Sequence, residues 1–458
     1  MEWRHALLWF LALSFAVRLV DITAPPLERA HSWRQATGLM VARNLARGDG
    51  DILHPRIDER PETSREIGME FPLLPWMHST VSKCFGYAHW HSRLINLVVV
   101  MGGLWCFFLI LARWHTERLA AMATLVLTMS MWFSFGRKAM PDTFSCALVL
   151  MGIESLLRAL ERGGAVRWVL SALVLTLGVL SKLPAAILLF PLPLLCKEAT
   201  RKHQLALVAT GAVVSATTFW WYGLHAPSVA ERAGTWYHQG QSLSESLSSL
   251  WTHKGKLLER FAFSALRTYA GLAAVVLGLW CLIRGDSGQR ATRWMLALSC
   301  LGCALLMLRA GFYFHHHDYY IMPFVPALAL LAAVGLDRLP RRWAQVVLAL
   351  LVLEAGLNQQ HDFGVPDSEL PKLGLGQLAE EHIPRDGHVV FVGDGSPIEL
   401  YLLDRKGWVH PPSEPLNASR YTQHGPAWLL LPSKHAATFQ HVGRIQHADE
   451  DHVLVDLN

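Results

Sequence analysis

Charge is scarce in this chain. Only 17% of its 458 residues are Asp, Glu, Lys or Arg, against 52% hydrophobic residues and a mean hydropathy of +0.26. A soluble enzyme of this length carries more surface charge, so the composition excludes an ordinary soluble fold and implies a multi-spanning membrane protein. Net charge is modest too. A formal +5, spread among short loops, offers nucleic acid no basic face and is accounted for by lipid headgroups and membrane orientation. Cysteine is sparse and unpaired in pattern: of Cys84, Cys106, Cys146, Cys196, Cys281, Cys300 and Cys303, only the last two have CxxC spacing, and most lie in apolar runs. That argues against a disulfide framework or a zinc site. Gly393-Asp394-Gly395 lacks the remainder of a phosphate-binding loop and reads as a strand-to-helix turn. Matched halves are missing as well, which argues against a transporter.

What is present is a series of apolar runs. Eleven of them, near 5–22, 92–112, 119–136, 142–160, 166–181, 184–196, 204–222, 262–283, 293–312, 319–336 and 342–357, have the length or composition of membrane segments. The two flanking Lys182 are short enough to form one broken helix. The first follows Arg4 and His5 and has no small-residue cleavage site behind it, so it is expected to be an uncleaved helix. With a cytoplasmic N-terminus, the basic loops 112–118, 158–167, 197–203, 284–293 and 337–342 all fall inside, as the positive-inside rule requires. The other face then receives residues 23–91, the corner 138–142, Ser181/Lys182, the segment 223–261, the loop 314–320 and the tail.

The expected organisation is a membrane domain over 1–357, with a large first outer loop at 23–91, and a small extracytoplasmic α/β domain over 358–458. Within the tail, 388–394, 427–432 and 452–457 read as strands, and 369–383 and 397–405 as helices, the second capped by Ser396 before Pro397.

The chemistry-bearing residues gather on the outer face. Glu28, Glu70 and Asp142 stand beside prolines and aromatics at the membrane boundary, where desolvation raises a carboxyl towards the range of a general base; a solvated loop end is the plainer alternative. His31 lies in the same first-loop stretch, next to a helix expected over Trp33–Arg43, with Trp33 in the aromatic belt. On the cationic side are Arg34, Arg137, Lys138, Lys182 and Arg267, with a cluster of His315, His316, His317, Tyr319 and Tyr320. A lysine between "LGVL" and "LPAAILLF" is costly unless it meets a carboxylate or an anion such as phosphate, which singles out Lys182. For Arg137 and Lys138, lipid-headgroup and ligand contact stand side by side. Three consecutive histidines cannot all point at one ion, so phosphate or acceptor contact is favoured over a divalent metal, and no cofactor is called for.

The succession "HSWRQ" (31–35), "ARNL" (42–45), "EFPLLPW" (70–76), "RLINL" (93–97), "MPD" (140–142), "SKLPA" (181–185) and "HDYYIMPFVPALALL" (317–331) resembles the bacterial branch of the GT-C membrane glycosyltransferases. That group includes protein O-mannosyltransferases and the aminoarabinose transferases of lipid A. The resemblance implies a GT-C fold of about eleven spans in a bacterial inner membrane. It also implies inverting transfer of a hexosyl or pentosyl group, from a polyprenyl-phosphate sugar to a glycan, lipid A or protein acceptor, on the extracytoplasmic face. It implies a first-loop carboxylate as base and a lysine on the donor phosphate, and Lys182 and Asp142 match by position. Where many relatives carry an Asp-Glu pair this chain has Arg34 and Gln35, leaving Glu28, His31 or Glu70 as base. Attack by an acceptor hydroxyl needs that base and a neutralised phosphate leaving group, for which the remaining cations and the His/Tyr cluster are the expected donors. Two other classes fit many spans and a large outer loop: a glycopolymer polymerase or ligase, and a flippase or transporter of lipid-linked sugars.

Overall fold

The computed structural model describes residues 2–196, 199–235, 240–285, 290–439 and 442–458. Parts of the expected loops 197–203, 223–261 and 284–293 therefore lie outside the described residues. The chain forms two compact units: residues 1–22, 93–225 and 238–363 make one, and residues 23–92, 226–237 and 364–458 the other.

The first unit is helical. Every apolar run of the sequence contains helix, but the runs are not equivalent. Five stretches are long and apolar enough to cross a membrane: Trp90–Leu111, Pro141–Arg162, Arg201–Arg232, Arg290–Ala310 and Asp318–Asp337. Lys254–Ser264 and Tyr269–Arg284 supply a sixth if taken together, bent by 95° at the break. The chain is thus a multi-pass membrane protein in which about eleven apolar runs correspond, by length and composition, to up to six full crossings among the described residues. Proline is one reason. Pro184, Pro191 and Pro193 divide the run after Lys182 into a 3-10 helix, Leu183–Leu189, and a single turn, Leu192–Leu195, because each removes a backbone donor.

Helices Pro141–Arg162 and Ala165–Ser181 form a hairpin closed by Gly163 and Gly164, whose φ angles of 66° and 95° suit glycine. They pack so closely that a Cβ on Gly178 would come within 2.9 Å of Val149 Cγ2, so glycine at this position permits the approach. Around them, Trp132, Phe135, Phe144 and Phe314 are fully buried.

The second unit combines two helices of the first loop, Ser32–Arg47 and Leu73–Phe85, with a five-stranded sheet from the tail. The strands are β1 (His388–Val392), β2 (Gly407–His410), β3 (Ala427–Pro432), β4 (Arg444–Ala448) and β5 (His452–Asp456), in spatial order β2-β1-β3-β5-β4. β2 and β3 flank β1 in parallel, whereas β5 runs antiparallel to β3 and β4. Three strands lie where alternation and apolarity place them. β4 does not announce itself, since all five of its residues are exposed or half-buried. Two tail helices differ in detail from expectation. The stretch 369–383 is a 3-10 helix, Asp367–Gly374, followed by the helix Leu375–His382. The other helix, Ile398–Leu403, is capped by Pro397 rather than Ser396, although Ser396 Oγ still accepts the Ile398 N–H at 3.4 Å.

Candidate functional site

An antiparallel hairpin brings the start of its first helix beside the end of its second, and those ends carry Asp142 and Lys182. Pro141 sits in the opening turn of its helix, where a missing N–H costs nothing, and Asp142 follows it where negative charge complements the helix dipole. Lys182 terminates Ala165–Ser181 in extended backbone, φ −163° and ψ 111°. This break is fastened from two sides. Ser145, one turn beyond Asp142, donates to the carbonyls of Gly178 (2.7 Å) and Lys182 (3.1 Å). The Tyr222 hydroxyl donates to the Leu180 carbonyl (2.8 Å) and accepts the Leu183 N–H (3.2 Å).

Lys182 Nζ lies 3.6 Å from Asp142 Oδ1 and 5.3 Å from the centre of the Tyr319 ring. The pair borders a narrow cavity lined also by Cys146, Tyr319, Tyr320 and Pro323. A separation of 3.6 Å exceeds a charge-assisted hydrogen bond, and the second Asp142 oxygen, Oδ2, is buried with no hydrogen-bond partner among the described residues. Tyr319, Tyr320 and His317 form a three-ring cluster with centroids 5.3 Å (Tyr319–Tyr320), 5.0 Å (Tyr319–His317) and 6.4 Å (Tyr320–His317) apart, and the two tyrosines give the cavity an aromatic wall. Pro323 also lines a second cavity, almost wholly apolar, bounded by Phe107, Ile153, Ile187, Met295 and Leu330 among others.

The other unit holds the first-loop carboxylates. Glu28 is buried, and its Oε1 accepts the Gln35 side-chain amide at 2.8 Å. Glu70 forms an ion pair with Arg34. His31 occupies the cap position of Ser32–Arg47 in left-handed backbone, φ 64°, and its carbonyl accepts the Gln35 N–H at 3.1 Å. The two helix positions that bear Arg34 and Gln35 thus each meet a carboxylate delivered from elsewhere in the loop.

Several expected site residues are engaged in other ways. Arg137 donates to the carbonyls of Arg18 (3.1 Å), Val20 and Asp362 (3.3 Å), under the ring of Phe363. Lys138 is fully buried 3.0 Å from Asp362. Arg267 pairs with Asp318 at 2.7 Å. His315 stacks on His253 at 4.0 Å with Nε2 3.0 Å from Ser249 Oγ; burial first, then the neighbouring His253, Lys256, His316 and Arg260, push its pKa down to about 4. None of these four lines the Asp142–Lys182 cavity. Sequence reasoning passed over Ser145 and Tyr222. Ser145 had a signal, standing three residues after Asp142 on the same helix face; Tyr222 had none.

Residues 69–222 match the family model described as dolichyl-phosphate-mannose-protein mannosyltransferase. No curated protein matches the chain by sequence. Among solved structures, ArnT from Cupriavidus metallidurans, crystallised with bound undecaprenyl phosphate, superposes with a TM-score of 0.66 at 15% identity, covering 100% of this chain and 98% of that one. An oligosaccharyltransferase from Archaeoglobus fulgidus, tethered to an acceptor peptide, superposes with a TM-score of 0.59 at 13% identity, covering 94% of this chain and 69% of that one. The fold of the chain is the GT-C fold of these membrane transferases.

Proposed function

We propose that this protein transfers a sugar from a polyprenyl-phosphate donor to an acceptor hydroxyl on the extracytoplasmic side of a bacterial inner membrane. The observation that carries this reading is the Asp142–Lys182 pair at its cavity, with a loose ion pair, an orphaned carboxylate oxygen and an aromatic wall. In this reading Lys182 neutralises the departing lipid phosphate, where preorganised positive charge lowers the barrier most. Asp142 orients Lys182 and faces the positive charge that develops at the anomeric carbon. The apolar cavity sharing Pro323 suits the first part of a lipid tail. Glu70 or Glu28 takes the acceptor proton, as general-base catalysis requires. The GT-C fold and the undecaprenyl phosphate bound by ArnT support a lipid-linked donor. The transferred group is a hexose or pentose, and the acceptor a cell-envelope glycan, lipid A or a protein.

The test is a comparison of envelope glycolipids and glycoproteins between cells with and without the protein. A lost sugar mass together with accumulated polyprenyl-phosphate sugar is expected. Lys182→Ala and Glu70→Gln are each expected to abolish transfer at normal expression, and full activity in both rejects the site.

A further inference from the structure

The tail sheet and the first-loop helix share a buried polar junction in which Asp58 touches both. Segment 58–60 continues the sheet beyond its edge strand β2: the Asp58 carbonyl accepts the Gly407 N–H at 2.9 Å, and the Arg60 N–H donates to the Gly407 carbonyl at 2.8 Å. From that edge the Asp58 carboxylate reaches the helix Ser32–Arg47, accepting Arg43 at 2.7 Å and Asn44 at 3.0 Å. Arg43 is tied to the tail a second time. It donates to the Tyr401 carbonyl at 2.8 Å, pairs with Asp404 at 3.0 Å and stacks over the Tyr401 ring at 4.7 Å. Burial works against its charge, but Asp58, Tyr87, Asp404 and Tyr401 together outweigh that and raise its pKa. Arg43, Asn44 and Asp58 are all nearly inaccessible to solvent.

We infer that the tail domain is a positioning element, acting through Asp58 to set the rotation and height of the helix whose first turns present Arg34 and Gln35 to Glu70 and Glu28. Gln35 lies eight residues before Arg43, or about 12 Å along one unbroken helix, so a tilt at the Arg43 end is passed to the Gln35 end. Buried ion pairs are poor sources of net stability relative to apolar packing, yet they demand one geometry. Asp58 is thus a positioning residue and touches no substrate. The inference rests on the proposed roles of Glu28 and Glu70.

The experiment uses the full-length protein in membrane vesicles from producing cells, with transfer read by the sugar mass gained by the endogenous acceptor. Asp58→Ala is expected to lower the maximal rate about tenfold with the donor concentration for half-maximal rate unchanged, as misplacement of a catalytic group does. Asp58→Asn, which keeps the shape and one set of hydrogen bonds, is expected to recover part of that loss. Amide hydrogen exchange should accelerate at 34–37 in Asp58→Ala while β3 remains protected. Wild-type transfer in Asp58→Ala overturns the inference, as does equal acceleration in β3, which marks general unfolding. Full activity in both Glu28→Gln and Glu70→Gln would defeat the base assignment separately, with exchange at 34–37 still reporting on Asp58.

Discussion

Lys138 and Lys182 belong to the same compact unit and each lies close to a carboxylate, but Lys138 is fully buried and Lys182 only half-buried. Lys138 is 0% exposed and 3.0 Å from Asp362, and the adjacent Arg137 is likewise consumed by backbone carbonyls. Lys182 keeps 13% of its side chain accessible, stands 3.6 Å from Asp142, and borders a cavity lined also by Asp142, whose Oδ2 has no hydrogen-bond partner among the described residues. Under the proposed function, the difference is that between scaffold and candidate site. A buried charge with short contacts is spent on holding the chain together, whereas the Asp142 carboxylate, beside a cavity and with Oδ2 accepting no hydrogen bond among the described residues, has capacity left.

The sharpest way to break this comparison is to remove each ammonium while keeping most of the stem. Lys182→Met is expected to lower transfer by about a thousandfold, the scale of a lost preorganised charge at the reacting centre, with normal yield of folded protein. Lys138→Met should do the reverse. It leaves Asp362 without its ammonium partner, a change that costs roughly 3–5 kcal/mol when a buried pair is broken, so folded protein is lost. The fraction that folds should turn over normally, and adding Asp362→Leu to Lys138→Met should restore yield. Rate per folded molecule, measured alongside yield, decides. Equal loss of specific activity in both lysine variants would dissolve the distinction.

A smaller effect is expected at the fastening of the helix break. Ser145→Ala removes the hydroxyl that reaches the carbonyls of Gly178 and Lys182, and should cost about 1 kcal/mol of stability, as a single hydrogen bond does. Its transfer rate should fall roughly three- to tenfold because Lys182 is less firmly aimed. Ser145→Thr, which retains the hydroxyl, should recover both, whereas Lys138→Met with Asp362→Leu should show no such loss of rate.

Much of the unit bearing this pair was legible in advance. Apolar runs located the helices, and Lys182 drew notice because a lysine flanked by "LGVL" and "LPAAILLF" violates the pattern around it. A helix beginning at Pro141 and returning to Ser181 through two glycines then places Asp142 near Lys182 by topology alone. Counting full crossings was harder, because hydropathy sees apolar composition but not where Pro184 and Pro191 interrupt a helix. The first loop was least legible. Arg43 reads as a solvent-facing residue of an amphipathic helix, but it is buried because Asp58 and Asp404, one of them more than 350 residues away, neutralise it. Pairings of that range leave no local trace in a single sequence. The same holds for Glu28 with Gln35 and Glu70 with Arg34, where the sequence offered three candidate bases and no means of choosing.

The smallest expected effect concerns His315, which does not line the Asp142–Lys182 cavity. His315 is held near pKa 4 by burial and by its neighbours His253, Lys256, His316 and Arg260, against an ordinary value near 6.5. In the window between about 4 and 6.5, the unfolded chain binds a proton at this position and the folded chain does not. Stability therefore rises with pH through that window and is lost as pH falls from about 6.5 towards 4. The Tm should accordingly drop between pH 7 and pH 5, and His315→Asn, which cannot titrate, should flatten part of that drop while leaving the Lys182-dependent transfer rate at pH 7 near wild type. His315 stacks on His253 and meets Ser249, so acidification forces either a charged imidazole into that stack or a separation of the two helical segments. An unchanged pH slope in His315→Asn would assign the acid sensitivity to other groups.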